Sequence, residues 1–252
     1  MVELYSKNPI YEIIFKINFA NFFNIEEKIP LFYEKIKDDF PHNTVNMEPK
    51  ISININNQEG EIKTTHEPNS WYFHKEEDPY TSPIIIEIGK NYFLIDFRVN
   101  MDQYLGFEDF KTKYIDLLIN AISVFEIKDF TSIGLRYINK LYCSKGNPLN
   151  WKGIVSDNLI FDDLLNYYDS PSRMMSELFF EKNDFLIKFD FGIFNTEFPN
   201  SIARKEFILD FDCICQDETN ILDIDGIVYE MHETISELFE ENVTSKYKSY
   251  IK

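Results

Sequence analysis

The sequence predicts an α+β fold in which antiparallel sheets carry helices on one face, and three of its features lead there. Apolar residues alternate with polar ones in several runs, as at Tyr11, Ile13, Phe15, Ile17 and Phe19, which is the period of a strand with one face on a core. Elsewhere the spacing changes to three and four, as at Phe107, Phe110, Tyr114, Leu117, Leu118, Ala121 and Phe125, the stripe of an amphipathic helix. The order strand, helix, three or four strands, helix then occurs twice, over residues 1–128 and 129–252, so two halves sharing one core are expected.

The elements follow in order. Strand one covers Asn8 to Phe19, and a helix is expected over residues 28–39, because Pro30 fits only near a first turn and Pro41 ends the run. Ile51 to Ile55, Trp71 to Phe73, Ile84 to Ile88 and Tyr92 to Val99 read as strands, the last two joined as a hairpin across Gly89-Lys90-Asn91. Asn56 to Ser70, being polar, reads as a loop. The helix from Phe107 leads to a strand at the midpoint, Phe130 to Tyr142, in which Ile133, Leu135, Tyr137 and Leu141 face inward. A helical run from Leu159 to Tyr168, strands near 175–181, 184–194 and 205–215, and a final helix over 226–243 complete the second half, with Asp223 or Asp225 as its N-cap. Phe93-Leu94-Ile95-Asp96-Phe97 echoes Phe207-Ile208-Leu209-Asp210-Phe211, and Ile17-Asn18 echoes Ile138-Asn139, as a duplication would leave them.

Composition narrows the function classes. A net charge of -18 argues against nonspecific binding to nucleic acid or to an anionic membrane surface, both of which need clustered Lys and Arg. The 24 Phe and 15 Tyr go with a general bias toward Phe, Tyr, Ile, Asn and Lys, so they are no sign of base-stacking platforms. Three cysteines, Cys143, Cys213 and Cys215, cannot make a disulfide framework and read as reduced thiols. With no signal peptide at Met1-Val2-Glu3 and no apolar run of membrane-spanning length, the expected location is the cytoplasm.

In shape, two such halves are similar to a duplicated TATA-binding-protein-like or helix-grip fold. Asn8-Pro9 with Glu12, Gly134-Leu135-Arg136-Tyr137-Ile138-Asn139, Leu209-Asp210-Phe211-Asp212, and the closing helix with His232 and Phe239 together resemble a sporadically distributed prokaryotic family of about this length, whose function is unknown. The resemblance implies a prokaryotic cytoplasmic protein and brings no activity, cofactor or catalytic residue.

The chemistry legible in the residues is sparse. His42, His66, His74 and His232 stand at no metal-binding spacing, eight glycines form no phosphate loop, and no serine has a nucleophile-elbow context, so no catalytic residue and no cofactor is predicted. Arg136 needs a partner in an apolar strand, and Glu12 is the expected one, as a structural ion pair between the first and midpoint strands. Pairing of strands 184–194 and 205–215 sets Asp190 opposite Asp210 with Asp212 beside it. These three are metal candidates, or else an exposed polar face with Lys188 as counter-charge. On the last helix, Met231, Ile235, Leu238 and Phe239 face inward and Glu230, Glu233, Glu237 and Glu241 form an outward acidic stripe. Two functional classes stay open: a noncatalytic protein-interaction or regulatory module whose acidic surface meets a basic partner, and a metal-dependent hydrolase or nuclease using clustered aspartates. The first is preferred, with a protein bearing a basic patch as partner, no membrane, no direct nucleic-acid binding, and homo-oligomers open.

Overall fold

The computed structural model describes residues 8–20, 24–56, 59–99, 104–143, 146–161, 165, 167 and 171–251, and within them the alternating runs pair into one antiparallel nine-stranded sheet. Its strands are β1 (Ile10–Asn18), β2 (His42–Asn56), β3 (Glu59–His74), β4 (Ile84–Gly89), β5 (Tyr92–Arg98), β7 (Ser132–Cys143), β8 (Met174–Lys182), β9 (Phe185–Phe194) and β10 (Lys205–Cys215). The order across the sheet is β2-β3-β4-β5-β1-β7-β10-β9-β8, and β6 (Asp129–Phe130) forms a separate short ladder with β11 (Thr219–Asn220). Near the middle of the sheet β1 is flanked by β5, and β7 by β10. The halves meet where β1 pairs with β7, Ile14 opposite Arg136.

Of the sequence echoes, the second does not align the halves. Ile17 lies on the buried face of β1 whereas Ile138 lies on the opposite face of β7, because Ile133, Leu135, Tyr137 and Leu141 take the buried side.

The period-two pattern puts Ile13, Phe15, Ile17, Phe93, Ile95, Leu135, Leu209 and Phe211 on one face, and helices cover that face. Helix α1 (Ile25–Ile36) lays Phe32 on Phe73 and Phe125, with ring centroids 5.2 and 5.9 Å apart. Full burial of a ring such as Phe32 contributes about 2 kcal/mol. Helix α2 runs through Phe107–Phe110, a π-helical turn at Lys111–Ile115, and Asp116–Ile122. Helix α3 (Ile224–Asn242) packs Val228, Met231, Ile235 and Leu238 onto β7 and β10, and α4 (Ser245–Ile251) closes the chain.

Several expectations are corrected. Helix α1 begins at Ile25, so Pro30 stands inside it. Pro30 removes one backbone donor there, and buried Ile25, Phe32 and Ile36 hold the helix nevertheless. The stretch 56–70 is largely strand: β2 and β3 pair from His42↔His74 out to Asn56↔Glu59, although β3 meets β4 only over Ser70–His74. A ribbon satisfies its backbone groups by pairing alone, so its polar sequence carries no strand period to read. Asp223 occupies the N-cap of α3 without a capping bond, and Asp225 instead pairs with Lys111. Half of the helical run expected over 159–168 lies outside the described residues.

At Gly192 the backbone takes φ +150°, and a Cβ there would overlap the Met174 carbonyl oxygen of the edge strand β8. Gly192→Ala is expected to cost roughly 2 kcal/mol and to loosen β8 first. Thermal melting followed by circular dichroism, together with amide exchange of residues 174–182, checks this; full protection of β8 in the variant would contradict it.

Candidate functional site

Residues that follow one another along a strand point to opposite faces, so the motif residues divide between two places. Arg136, Asp210 and Asp212 lie on the face away from the helices. Tyr137, Asn139 and His232 lie beneath them.

On the outer face Arg136 donates from Nε to Asp210 Oδ1 at 2.8 Å and from Nη2 to Asp210 Oδ2 at 2.6 Å, a bidentate pair with the Asp210 side chain 9% exposed. This corrects the expected partner, Glu12. Glu12 stands opposite Arg98 and Ile138, two residues along β7 from Arg136, whose own partner on β1 is Ile14. Glu12 instead lies near Asp96, and burial first, then Asp96, pushes its carboxyl up to about 7. Asp190 does stand opposite Asp210, but Lys188 holds Asp190 and Glu177, each at 2.9 Å. Burial pushes Asp212 up, and Arg136 is the largest influence opposing that. Among the described residues no three His, Cys, Asp or Glu side chains stand together as a metal site; Asp210 pairs with Arg136, Asp190 pairs with Lys188, and Asp212 stands opposite Arg136 in the register. Cys143, Cys213 and Cys215 are free thiols, and burial raises Cys143 and Cys213 above the usual thiol range, away from reactivity.

On the inner face a groove of about 720 Å³ opens between the start of α2 and the outer half of α3. Its floor is the beginning of β1 and the middle of β7, and four separate segments build it. Pro9 is held against β7 by the bond from Lys140 N to its carbonyl at 2.8 Å, and Asn8 Oδ1 caps Ile10 N at 3.0 Å. Gly106, at φ +118°, lets the chain turn from Tyr104 and Leu105 into α2 and brings Phe107 under α3. Phe107 stacks on His232 at 3.9 Å and meets Tyr229 edge-on at 5.3 Å.

Beneath these rings lie buried polar groups: Tyr104 is close enough to Tyr137 for each to influence the other, and the Tyr137 hydroxyl lies 3.0 Å from His232 Nδ1. Burial drives His232 down to about 4, so the imidazole is neutral at pH 7, lifts Tyr104 to about 12, and raises Tyr137 well above the usual tyrosine range. A histidine so depressed is a poor general base, and Ser236, one turn further along α3, makes no hydrogen bond to it among the described residues. Asn139, 2% exposed, donates its amide to the carbonyls of Leu209 at 3.1 Å and Tyr137 at 3.4 Å.

The rim is acidic. Glu108, Glu233, Glu237 and Glu240 line the groove, and no Lys or Arg is among its described lining residues. Glu230, Glu233, Glu237 and Glu241 are exposed on α3, with Lys182 of β8 3.7 Å from Glu237 and 2.8 Å from Glu241. Of the expected acidic stripe, Glu233 and Glu237 thus reach the groove. Sequence reasoning set His232 aside for want of metal spacing; its position, one residue after Met231 in the apolar stripe, was the signal that it is buried. No protein-family model matches the chain, and no curated protein matches it either. No described helix is long and apolar enough to cross a membrane.

Proposed function

We propose that this protein is a noncatalytic interaction module of a prokaryotic cytoplasm, whose groove and α3 surface receive a basic segment of a partner protein. What supports this is the charge of the groove: an apolar floor, four carboxylates on the rim, and no Lys or Arg among the described lining residues. Such a surface repels phosphates and polyanions and speeds encounter with a cation. Nothing that lines it supplies an activated nucleophile, and its histidine is neutral. The aspartates that a metal-dependent hydrolase would use are engaged by Arg136 and Lys188 on the far side of the sheet.

Capture from lysate of the native host, with the wild-type chain and a Glu233→Lys/Glu237→Lys double variant as paired baits, tests the reading. The expected result is a partner held at low salt, lost in 0.5 M salt on the order set by screening, and absent from the variant. Equal capture by both baits would overturn it.

A further inference from the structure

We propose that the inner wall of the groove is a binding pocket for a primary alkylammonium group with an apolar stem. The proposal rests on the groove being the recognition surface and names what enters it.

Three independent features select that chemistry. The volume, about 720 Å³, is that of a ligand pocket, and Tyr104, Phe107, Tyr137, Tyr229 and Phe239 give it aromatic walls suited to an apolar stem and to a cation over a ring face. Tyr229 already takes a cation in this way, with Lys111 Nζ 5.4 Å from its ring centroid. The rim charge is the second feature. Glu237 is offset by Lys182 and Glu240 by Lys248, whereas Glu108 receives only the Tyr229 hydroxyl at 2.6 Å and Glu233 has no ion pair among the described residues. Two carboxylates thus face the groove without a cation of their own.

The third feature is Asn139. Both of its amide bonds go from nitrogen to backbone carbonyls, which leaves Oδ1 without a donor among the described residues, on a side chain 2% exposed that lines the groove floor. An acceptor on the groove floor that no described donor fills is free to take an N–H from a ligand. A primary ammonium supplies three, a quaternary ammonium none, and an anion would meet the two carboxylates. The stem has the length to reach from rim to floor in a lysine side chain or in a free alkylamine.

Isothermal titration of the full chain with hexylammonium, hexanol, tetramethylammonium and the capped peptide acetyl-Leu-Lys-Leu-amide tests this. Hexylammonium or the peptide is expected to bind, with hexanol and tetramethylammonium weaker by roughly tenfold, the worth of one charge-assisted hydrogen bond. A tighter peptide assigns the ammonium to a polypeptide, and a tighter free amine to a small molecule; either supports the pocket. Glu233→Gln, an exposed change that leaves the core intact, should weaken hexylammonium by roughly fivefold and hexanol not at all. Hexanol binding as well as hexylammonium, or no binding of any probe, overturns the pocket. If the lysate partner is still lost from the Glu233→Lys/Glu237→Lys bait in that case, the interaction module stands and only the ammonium assignment falls.

Discussion

Asp210→Ala is expected to destabilise the fold by about 3 kcal/mol, more than a loss of surface charge would. The guanidinium of Arg136 stays charged at every accessible pH, and Asp210 further raises its already high pKa. Without Asp210 its two bonds at 2.8 and 2.6 Å have no acceptor, and Asp212, directly opposite Arg136 in the register, is a half-buried carboxyl that burial disposes to hold its proton. The converse change, Arg136→Ala, strands Asp210 opposite Asp190 with Lys188 as the nearest remaining cation, and like carboxylates in cross-strand register repel. Both single variants should therefore be unstable, while Arg136→Met/Asp210→Leu, which removes charge from both sides, should recover most of the loss. Urea unfolding at pH 7 measures all three. Additive losses in the double variant would show that the two side chains act independently and that the pair is not the unit.

Why Asp210 rather than Glu12 pairs with Arg136 shows where sequence reading stops. Strand period identified β1, β5, β7, β9 and β10 nearly to the residue, and it placed Asp190 opposite Asp210, because each strand has one buried face and its pattern is forced by burial. Which of 43 acidic residues meets a given arginine depends on register across two neighbouring strands, and here it sets Ile14, not Glu12, opposite Arg136. Asn56 to Ser70 of the β2–β3 ribbon reads as loop for a related reason: hydropathy records burial, and this ribbon is held by its own ladder, with Val45, Met47 and Ile51 exposed. The groove was least legible of all. Asn8, Asn139 and His232 belong to the motifs that carry the resemblance, but nothing in their spacing joins them to Gly106 or to one another, and only the β1–β7 pairing and the turn at Gly106 bring them to one place. The motif residues on β7 were nonetheless the right ones to ask about, since alternation sends Arg136 to the ion pairs and Tyr137 and Asn139 to the groove.

Between pH 5 and 8 the folded chain is expected to lose stability as pH rises through about 7, and Glu12→Gln should flatten that loss. Glu12 and Asp96 are acids in contact on adjacent strands. Asp96 Oδ2 accepts from Arg98 Nη2 at 3.2 Å, while its Oδ1 is buried with no donor among the described residues. A proton on Glu12 supplies the missing donor, and this agrees with the direction of its shift, raised by burial and by Asp96 against the opposing pull of Arg98 and Arg136. The sign follows from where the proton is held. Unfolded, Glu12 titrates at its ordinary 4.5; folded, at about 7. Between those values the folded chain binds a proton that the unfolded chain does not. The contribution is complete below the unfolded value and disappears as pH climbs through the folded one, leaving two adjacent carboxylates to repel each other. Glu12 is only half-buried, so screening reduces the effect to about 1 kcal/mol. Urea midpoints at pH 5, 6, 7 and 8 give the slope for the wild type and for Glu12→Gln, whose amide donates to Asp96 Oδ1 at every pH. Parallel slopes in the two proteins would place the shared proton elsewhere; a flat Glu12→Gln profile, at least as stable as the wild type at pH 8, is the expected result.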